Sequence, residues 1–232
     1  MKNWIILFSF FCIACGNKVN NNNPEFYLQL GDILFQDLDS SPLCDAIESV
    51  TPGYKEGNFS HIGIVVELGD PYCINQKYIF ENHIRILEAI PNKVQTTRLD
   101  SFLNRSFDQN NNPKVIVGRL NPQYWHTIQD AISFLKKNLG VKYDDAFLIN
   151  NDAYYCSELI YKAFEKDSIF KLQPMTFLNP ENNDTLQIWK DYYSKLNIPI
   201  PQNKSGINPG IMSISEKIEM VYFYGIPDGM KD

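Results

Sequence analysis

The chain has 232 residues, of which 44% are hydrophobic and 21% charged, and its formal net charge is −6 at pH 7. This size and composition suit one globular domain with a sizeable core and exclude a disordered chain. The negative charge argues against a nucleic-acid-binding protein, which needs a basic face to displace counterions from phosphates.

The first residues are typical of an export signal. A short basic start precedes an apolar run at residues 4–13, which is too short to span a bilayer but suits the core of a signal peptide. A small residue then precedes Cys15, which resembles a bacterial lipoprotein signal with Cys12 in place of the usual Leu. We therefore expect a signal peptide at 1–14, lipidation of Cys15 and an Asn-rich polar tether at 15–25. An ordinary signal peptide is the alternative.

From residue 26 the pattern predicts a mixed domain of strands and helices. Apolar and β-branched residues predict strands at 30–36, 61–68, 84–90, 93–98 and 114–120. Ser41 followed by Pro42 is a helix-start signal, and Gly53 marks the end of that helix. A further short helix is expected at 99–104.

The second half of the chain is predicted to be more helical. Apolar residues recur at three- and four-residue steps between Trp125 and Leu139, which predicts an amphipathic helix at 122–139. A second helix is expected at 154–165, with Cys156 at its start. Pro and Asn are frequent after residue 170. We therefore expect a catalytic domain at 26–170 and a C-terminal extension packed on it at 171–232, with one short helix or strand near 215–224.

Cys156 is the candidate nucleophile. With Cys12 removed and Cys15 lipidated, three cysteines remain, so at least one is unpaired in an oxidising compartment even if Cys44 and Cys73 form a disulfide. In the first turn of a helix, backbone N–H groups and the helix dipole favour a thiolate and can hold an oxyanion. The alternative is a small core residue, since most free cysteines are buried.

His61 is the candidate base, because it opens a predicted strand from which its ring can reach a neighbouring helix start. A catalytic histidine also needs an acceptor on its second ring nitrogen. Glu88, a carboxylate among aliphatic residues of the next strand, is the first candidate for that acceptor, and Glu81 is the rival. His83 and His126 are expected at the surface.

Four sequence blocks resemble the YiiX/YebB-like branch of the NlpC-type cysteine hydrolases. They are, in chain order, G-D-I-L-F-Q at 31–36, S-H-I-G-I-V-V at 60–66, L-E-A at 87–89 and Y-C-S-E-L-I-Y-K-A-F at 155–164. The resemblance implies an α+β, circularly permuted papain-like fold, with an antiparallel sheet packed against helices. In the permuted order histidine precedes cysteine, which implies a triad of Cys156, His61 and Glu88.

The resemblance also implies substrate-binding residues. The sequence G-V-K-Y at 140–143 is similar to a Gly-x-Pro-Tyr element of the NlpC-type enzymes, in which the tyrosine lies beside the nucleophile; Lys142 stands in place of the Pro. Tyr143 is therefore a candidate, as is Tyr155, which flanks the cysteine. Asp145 lies in an acidic loop that could bind a cationic group, although a solvated loop is the alternative.

The sequence thus predicts an exported cysteine hydrolase of the bacterial cell envelope, lipid-anchored to the membrane and facing the periplasm or the exterior. We expect it to act by acyl transfer on an amide of a cell-wall fragment or a small peptide. Two alternatives stay open: an acyltransferase or thioesterase acting on lipids, as in relatives resembling lecithin retinol acyltransferase, and a non-catalytic peptide-binding lipoprotein. No cofactor, metal or nucleic-acid partner is expected, since the chain after the predicted signal peptide has neither a closely spaced His or Cys pair nor a Gly-rich phosphate loop.

Overall fold

A computed structural model describes residues 26–69 and 83–231. Within them, six strands form one sheet: β1 (Ile33–Gln36), β2 (His61–Glu67), β3 (Arg85–Ile90), β4 (Lys93–Arg98), β5 (Val115–Leu120) and β8 (Ile218–Phe223). Their order is β4-β3-β2-β1-β5-β8, and every neighbouring pair is antiparallel. A small ribbon pairs β6 (Gln173–Pro174) with β7 (Ser205–Gly206).

The helices in the described residues are α1 (Pro42–Val50), α2 (Leu99–Leu103), α3 (Ile128–Lys137), α4 (Cys156–Ala163), α5 (Gln187–Leu196) and α6 (Pro209–Ser213). Short 3-10 helices lie at Tyr54–Glu56, Pro122–Thr127 and Glu165–Asp167. The helix expected at 122–139 therefore begins as a 3-10 helix, and its two outermost apolar residues, Trp125 and Leu139, are exposed because both lie outside α3.

The sheet buries both of its faces, which explains why its central strands are apolar at nearly every position. In β1, Ile33 and Phe35 belong to the larger cluster, which also contains the buried faces of α3 and α4. Leu34 faces a second cluster, which includes Phe102 of α2. The expected α+β class, an antiparallel sheet packed against helices, is confirmed.

The segment after residue 170 takes part in the sheet itself. The sequence placed residues 171–232 in an extension packed on the domain, yet β8 is hydrogen-bonded to β5 as the last strand of the main sheet. The helix α5 packs against α1, where Phe177, Trp189 and Tyr193 surround Ala46. This contact places α1 and α5 side by side at one end of the domain.

Several sequence predictions fall outside the described residues and stay predictions. They are the signal peptide, Cys15 with its lipid, the tether, Glu81 and Cys73. Cys44 is buried in α1, with its Sγ 3.5 Å from the hydroxyls of Ser40 and Ser41. No helix in the portion described combines the length and apolar character that a bilayer crossing requires.

Candidate active site

Cys156 is the first residue of α4, as the sequence predicted. Tyr155, the residue before it, is extended (φ −87°, ψ 170°) and makes no side-chain cap. The backbone N–H groups of the first helical turn therefore keep their hydrogen-bonding capacity close to the thiol. Cys156 itself is 7% exposed, because α4 packs against β2 and β3 through Leu159 and Ile160.

His61 lies at the first position of β2 and joins Cys156 to Glu88. Its Nε2 is 2.7 Å from Oε2 of Glu88, and Cys156 is its other side-chain hydrogen-bond partner, which leaves Nδ1 for the thiol. The imidazole is buried, with its ring centroid 5.7 Å from that of Phe102. The structure thus brings the three predicted residues into one continuous chain of contacts, while His83 and His126 lie exposed elsewhere.

Glu88 is fully buried and receives four hydrogen bonds. Oε1 accepts from Thr97 Oγ1 at 2.5 Å and from Arg105 Nη2 at 2.6 Å, and Oε2 accepts from Arg105 Nη1 at 2.7 Å and from His61. A carboxylate has about four lone-pair positions, so each one is used. This environment fixes both the orientation and the ionised state of the carboxylate.

Thr97 and Arg105 were not anticipated from the sequence. The contact of Thr97 could have been predicted from the pairing of β3 and β4. Glu88 pairs with Gln95 in this hairpin, so Thr97, two residues farther along, is a diagonal neighbour of Glu88 on the same face. No local sequence pattern indicates the contact of Arg105, because this residue follows α2 in a loop and reaches Glu88 only through the tertiary fold.

The contacts give His61 and Glu88 opposite charges at neutral pH. Burial raises the pKa of Glu88, but hydrogen bonds from Arg105 and His61 outweigh this effect and lower it to about 2. Burial lowers the pKa of His61, but its hydrogen bonds to Cys156 and Glu88 outweigh this effect and raise it to about 9. A protonated imidazole beside Cys156 favours the thiolate over the thiol.

A pocket of about 680 Å³ opens beside Cys156. One wall consists of residues near the cysteine, including Tyr143 and Ser60, and the other comes from α1 and the segment after residue 170, including Met175, Trp189 and Ile211. None of the described residues that line this pocket is Asp, Glu, Lys, Arg or His. Apart from Cys156, its described walls are therefore neutral and mainly apolar.

Two of the three residues predicted to bind substrate line this pocket. Burial raises the pKa of Tyr143, and the negative charge of Cys156 raises it further, so its phenol stays neutral. The hydroxyl of Tyr155 accepts a hydrogen bond from the backbone N–H of Ile207 at 3.2 Å, which ties the start of α4 to the later segment. Asp145 is exposed and does not line the pocket, and its backbone carbonyl accepts a hydrogen bond from the Tyr192 hydroxyl at 2.7 Å.

One group of acidic residues in the described portion comes close enough together to hold a metal ion: Asp37, Asp39 and Asp228. Lys114, which is 2% exposed, already lies among them, with its Nζ 3.1, 2.5 and 3.0 Å from their respective oxygens. The ammonium group occupies the position among the three carboxylates that a metal ion would take, so the arrangement fits an ion-pair cluster rather than a metal centre.

Comparison with known proteins shows a match at the level of a family. A family model described as permuted papain-like amidase enzyme, YaeF/YiiX, C92 family, matches residues 27–222. The fold is similar to the crystal structure of metalloprotein yiiX from Escherichia coli O157:H7, with a TM-score of 0.64 and 22% identity over 86% of this chain and 98% of that one. Among curated proteins nothing matches. The circularly permuted papain-like fold expected from the sequence is thereby confirmed.

Proposed function

The chain belongs to the permuted papain-like amidase family YaeF/YiiX, C92, and we propose that within it this protein is a cysteine hydrolase with Cys156 as its nucleophile. The observation that carries the proposal is the buried contact of His61 with both Cys156 and Glu88. A thiolate nucleophile requires a base within hydrogen-bonding reach, and that base requires an orienting acceptor.

The reaction follows from these contacts. The thiolate of Cys156 attacks the substrate carbonyl carbon, and the π electrons of the carbonyl move to oxygen. Backbone N–H groups at the start of α4 stabilise the oxyanion, with the neutral phenol of Tyr143 as a second donor. His61 gives its proton to the leaving group as the bond to it breaks. His61 then removes a proton from water, which attacks the thioester and releases the acid and the thiolate.

Glu88 makes this proton transfer possible by holding His61 from the opposite side. An ionised carboxylate on Nε2 fixes the ring orientation and stabilises the imidazolium. Protein groups alone perform each of these steps. The similar yiiX protein is described as a metalloprotein, but in this chain the Lys114 ammonium already lies among the carboxylates of the described acidic cluster, so no step is assigned to a metal.

Two substrate classes are candidates: an amide and an acyl group of a lipid. The family description favours an amide, and for an exported protein we propose an amide of a cell-wall fragment or a related small peptide. The pocket favours the second candidate, an acyl group of a lipid, because its described lining residues include no Asp, Glu, Lys, Arg or His to recognise the ammonium or carboxylate groups of a peptide. The lipid anchor at Cys15 would suit the second class, since it would hold the domain at a membrane surface.

A substrate comparison tests these proposals. The protein and its Cys156→Ala variant are incubated separately with muropeptides and with acyl amides and thioesters of increasing chain length, and products are identified by mass spectrometry. Cleavage that Cys156→Ala lacks identifies the substrate class. If neither class is cleaved and both proteins still bind peptide, the peptide-binding lipoprotein becomes the better account.

The export proposal has its own test. In cells, Cys15→Ser should leave the protein unlipidated and released from the membrane fraction. Unchanged membrane association in Cys15→Ser would contradict the anchor without bearing on the chemistry at Cys156.

A further inference from the structure

We propose that Arg105 is a positioning residue that balances the charge of the active site and thereby keeps Cys156 in its thiolate form. The inference rests on the proposed function, because it concerns the ionisation of the same thiol. It adds a fourth member to a line of alternating charges, from Arg105 through Glu88 and His61 to Cys156.

The geometry of Arg105 suits this role. Its guanidinium contacts both oxygens of Glu88, at 2.6 and 2.7 Å, in the two-pronged arrangement that gives Arg–carboxylate pairs their directionality. The guanidinium carbon also lies 5.0 Å from the ring centroid of Phe102, and the His61 ring contacts the same phenylalanine, with centroids 5.7 Å apart. Phe102 is fully buried, so it presents a fixed surface to both cations.

Among the described side chains that contact Glu88, Arg105 carries a charge that persists at every working pH. Thr97 is neutral, and the charge of His61 depends on its proton. Three further titratable groups lie near the thiol in the described residues, and burial keeps each of them neutral at pH 7. It raises the pKa of Tyr143 and of Tyr155, and it raises the pKa of Glu158, two residues after Cys156, to about 8.

The net charge of Arg105, Glu88, His61 and Cys156 shows what Arg105 contributes. When all four residues are ionised, Arg105 and His61 cancel Glu88 and Cys156. Without Arg105 the buried group carries one net negative charge, and a proton on the thiol is the simplest way to remove it. Glu88 and His61 separate Arg105 from the thiol. At an effective dielectric constant of about 20, Coulomb's law gives a shift of roughly one pH unit for a unit charge about 10 Å from a titrating group.

The experiment measures the rate of iodoacetamide alkylation of Cys156 against pH by peptide mapping, in the full chain. We expect Arg105→Gln to move the midpoint of this profile upward by roughly one pH unit. Arg105→Lys keeps the charge, so its midpoint should lie close to that of the wild type. Thr97→Val removes a hydrogen bond to Glu88 without changing any charge, so its midpoint should stay near that of the wild type.

Arg98→Gln is the matched control, because Arg98 forms its ion pair with Asp100 at the surface. A midpoint in Arg105→Gln equal to that of the wild type, with rates lowered at every pH, would show a structural role only and overturn the proposal. A shift in Thr97→Val as large as in Arg105→Gln would also overturn it. If Arg105→Gln does not fold, Arg105→Lys decides: a midpoint near the wild type supports charge balance, and a rise of a full unit contradicts it.

Failure of the proposed function would look different. In that case wild-type Cys156 would itself react with the midpoint of an ordinary thiol, about 8.5, whatever residue occupies position 105.

Discussion

His61 Nε2 lies 2.7 Å from Glu88 Oε2, although the two residues are 27 positions apart. The antiparallel register of β2 and β3, in which Ile64 pairs with Leu87, makes Glu88 a diagonal neighbour of His61. The strand pairing thus presets the distance between base and acceptor before any substrate binds, and the rest of the candidate site is arranged around this pair.

Glu88→Gln should lower the free energy of unfolding by about 3–5 kcal/mol near pH 5.5, because it leaves the buried His61 and the partly buried Arg105 without their anion. Urea unfolding monitored by fluorescence measures the change. Glu67→Gln is the control: Glu67 pairs with Lys136 at the surface, and its loss should cost less than about 1 kcal/mol.

The same comparison should depend on pH. The pKa of Glu88 is lowered from 4.5 to about 2, so its contribution is complete above pH 4.5 and is lost as pH falls through 2. The pKa of His61 is raised from 6.5 to about 9, so its contribution is complete below pH 6.5 and is lost as pH rises through 9. The difference between wild type and Glu88→Gln should therefore be largest between these windows. A difference that is constant from pH 3 to pH 9 would contradict the ion pair.

Glu158→Gln should stabilise the protein in mildly alkaline solution. Glu158 is fully buried two residues after Cys156, and burial raises its pKa from 4.5 to about 8. The folded protein therefore holds a proton that the unfolded chain releases, and stability is lost as pH rises from 4.5 to 8. We expect Tm of Glu158→Gln to exceed that of the wild type by several degrees at pH 8, with little difference at pH 4. Equal Tm values at both pH values would count against this assignment.

Lys114→Met should destabilise the fold by about 3–5 kcal/mol, because it leaves the carboxylates of Asp37, Asp39 and Asp228 close together without their cation. Chemical denaturation provides the measurement. Lys136→Met, which breaks a surface pair, is the control and should change stability by less than about 1 kcal/mol. Similar losses of unfolding free energy in the two variants would show that the Lys114 cluster stabilises the fold no more than a surface ion pair does.

Ile211→Asp should weaken the binding of apolar acyl substrates by about 10-fold or more in KM, because it places a charge in the neutral pocket. The effect on kcat should be small, since Ile211 lies outside the catalytic contacts. Ile214→Asp is the matched control, because Ile214 is 55% exposed and does not line the pocket. A lower KM for muropeptides in Ile211→Asp, with acyl substrates unaffected, would instead favour a charged peptide substrate.

Much of the fold could be predicted because its strands carry a strong local signal. The strand expected at 93–98 matches β4 at both ends, and the start of α1 follows from Ser41 and Pro42. The helix α5 was missed, since its buried residues are the aromatic Trp189 and Tyr193 rather than an aliphatic stripe, and Pro- and Asn-rich stretches flank it. Its stability comes from long-range packing on α1, which a local pattern does not contain.

The three residues of the triad could be predicted from the sequence, but the contacts around them could not. The order of His61, Glu88 and Cys156 within recognisable blocks indicated the triad, and the structure brings these residues into contact. Arg105 could not be found, because an arginine in a loop looks like a surface residue until the fold brings it to Glu88. Asp145 was chosen for the charge of its loop, and the structure places it outside the pocket.

Alkylation at pH 6 of the wild type and of His61→Ala tests whether His61 holds Cys156 as a reactive thiolate. Peptide mapping separates Cys156 from Cys44, which serves as an internal reference because its exposed fraction, 8%, is close to the 7% of Cys156. We expect fast alkylation of wild-type Cys156. In His61→Ala its alkylation rate should fall by about 10- to 100-fold, since an ordinary thiol is mostly protonated at this pH. Equal rates for Cys156 in the two proteins would contradict this role of His61.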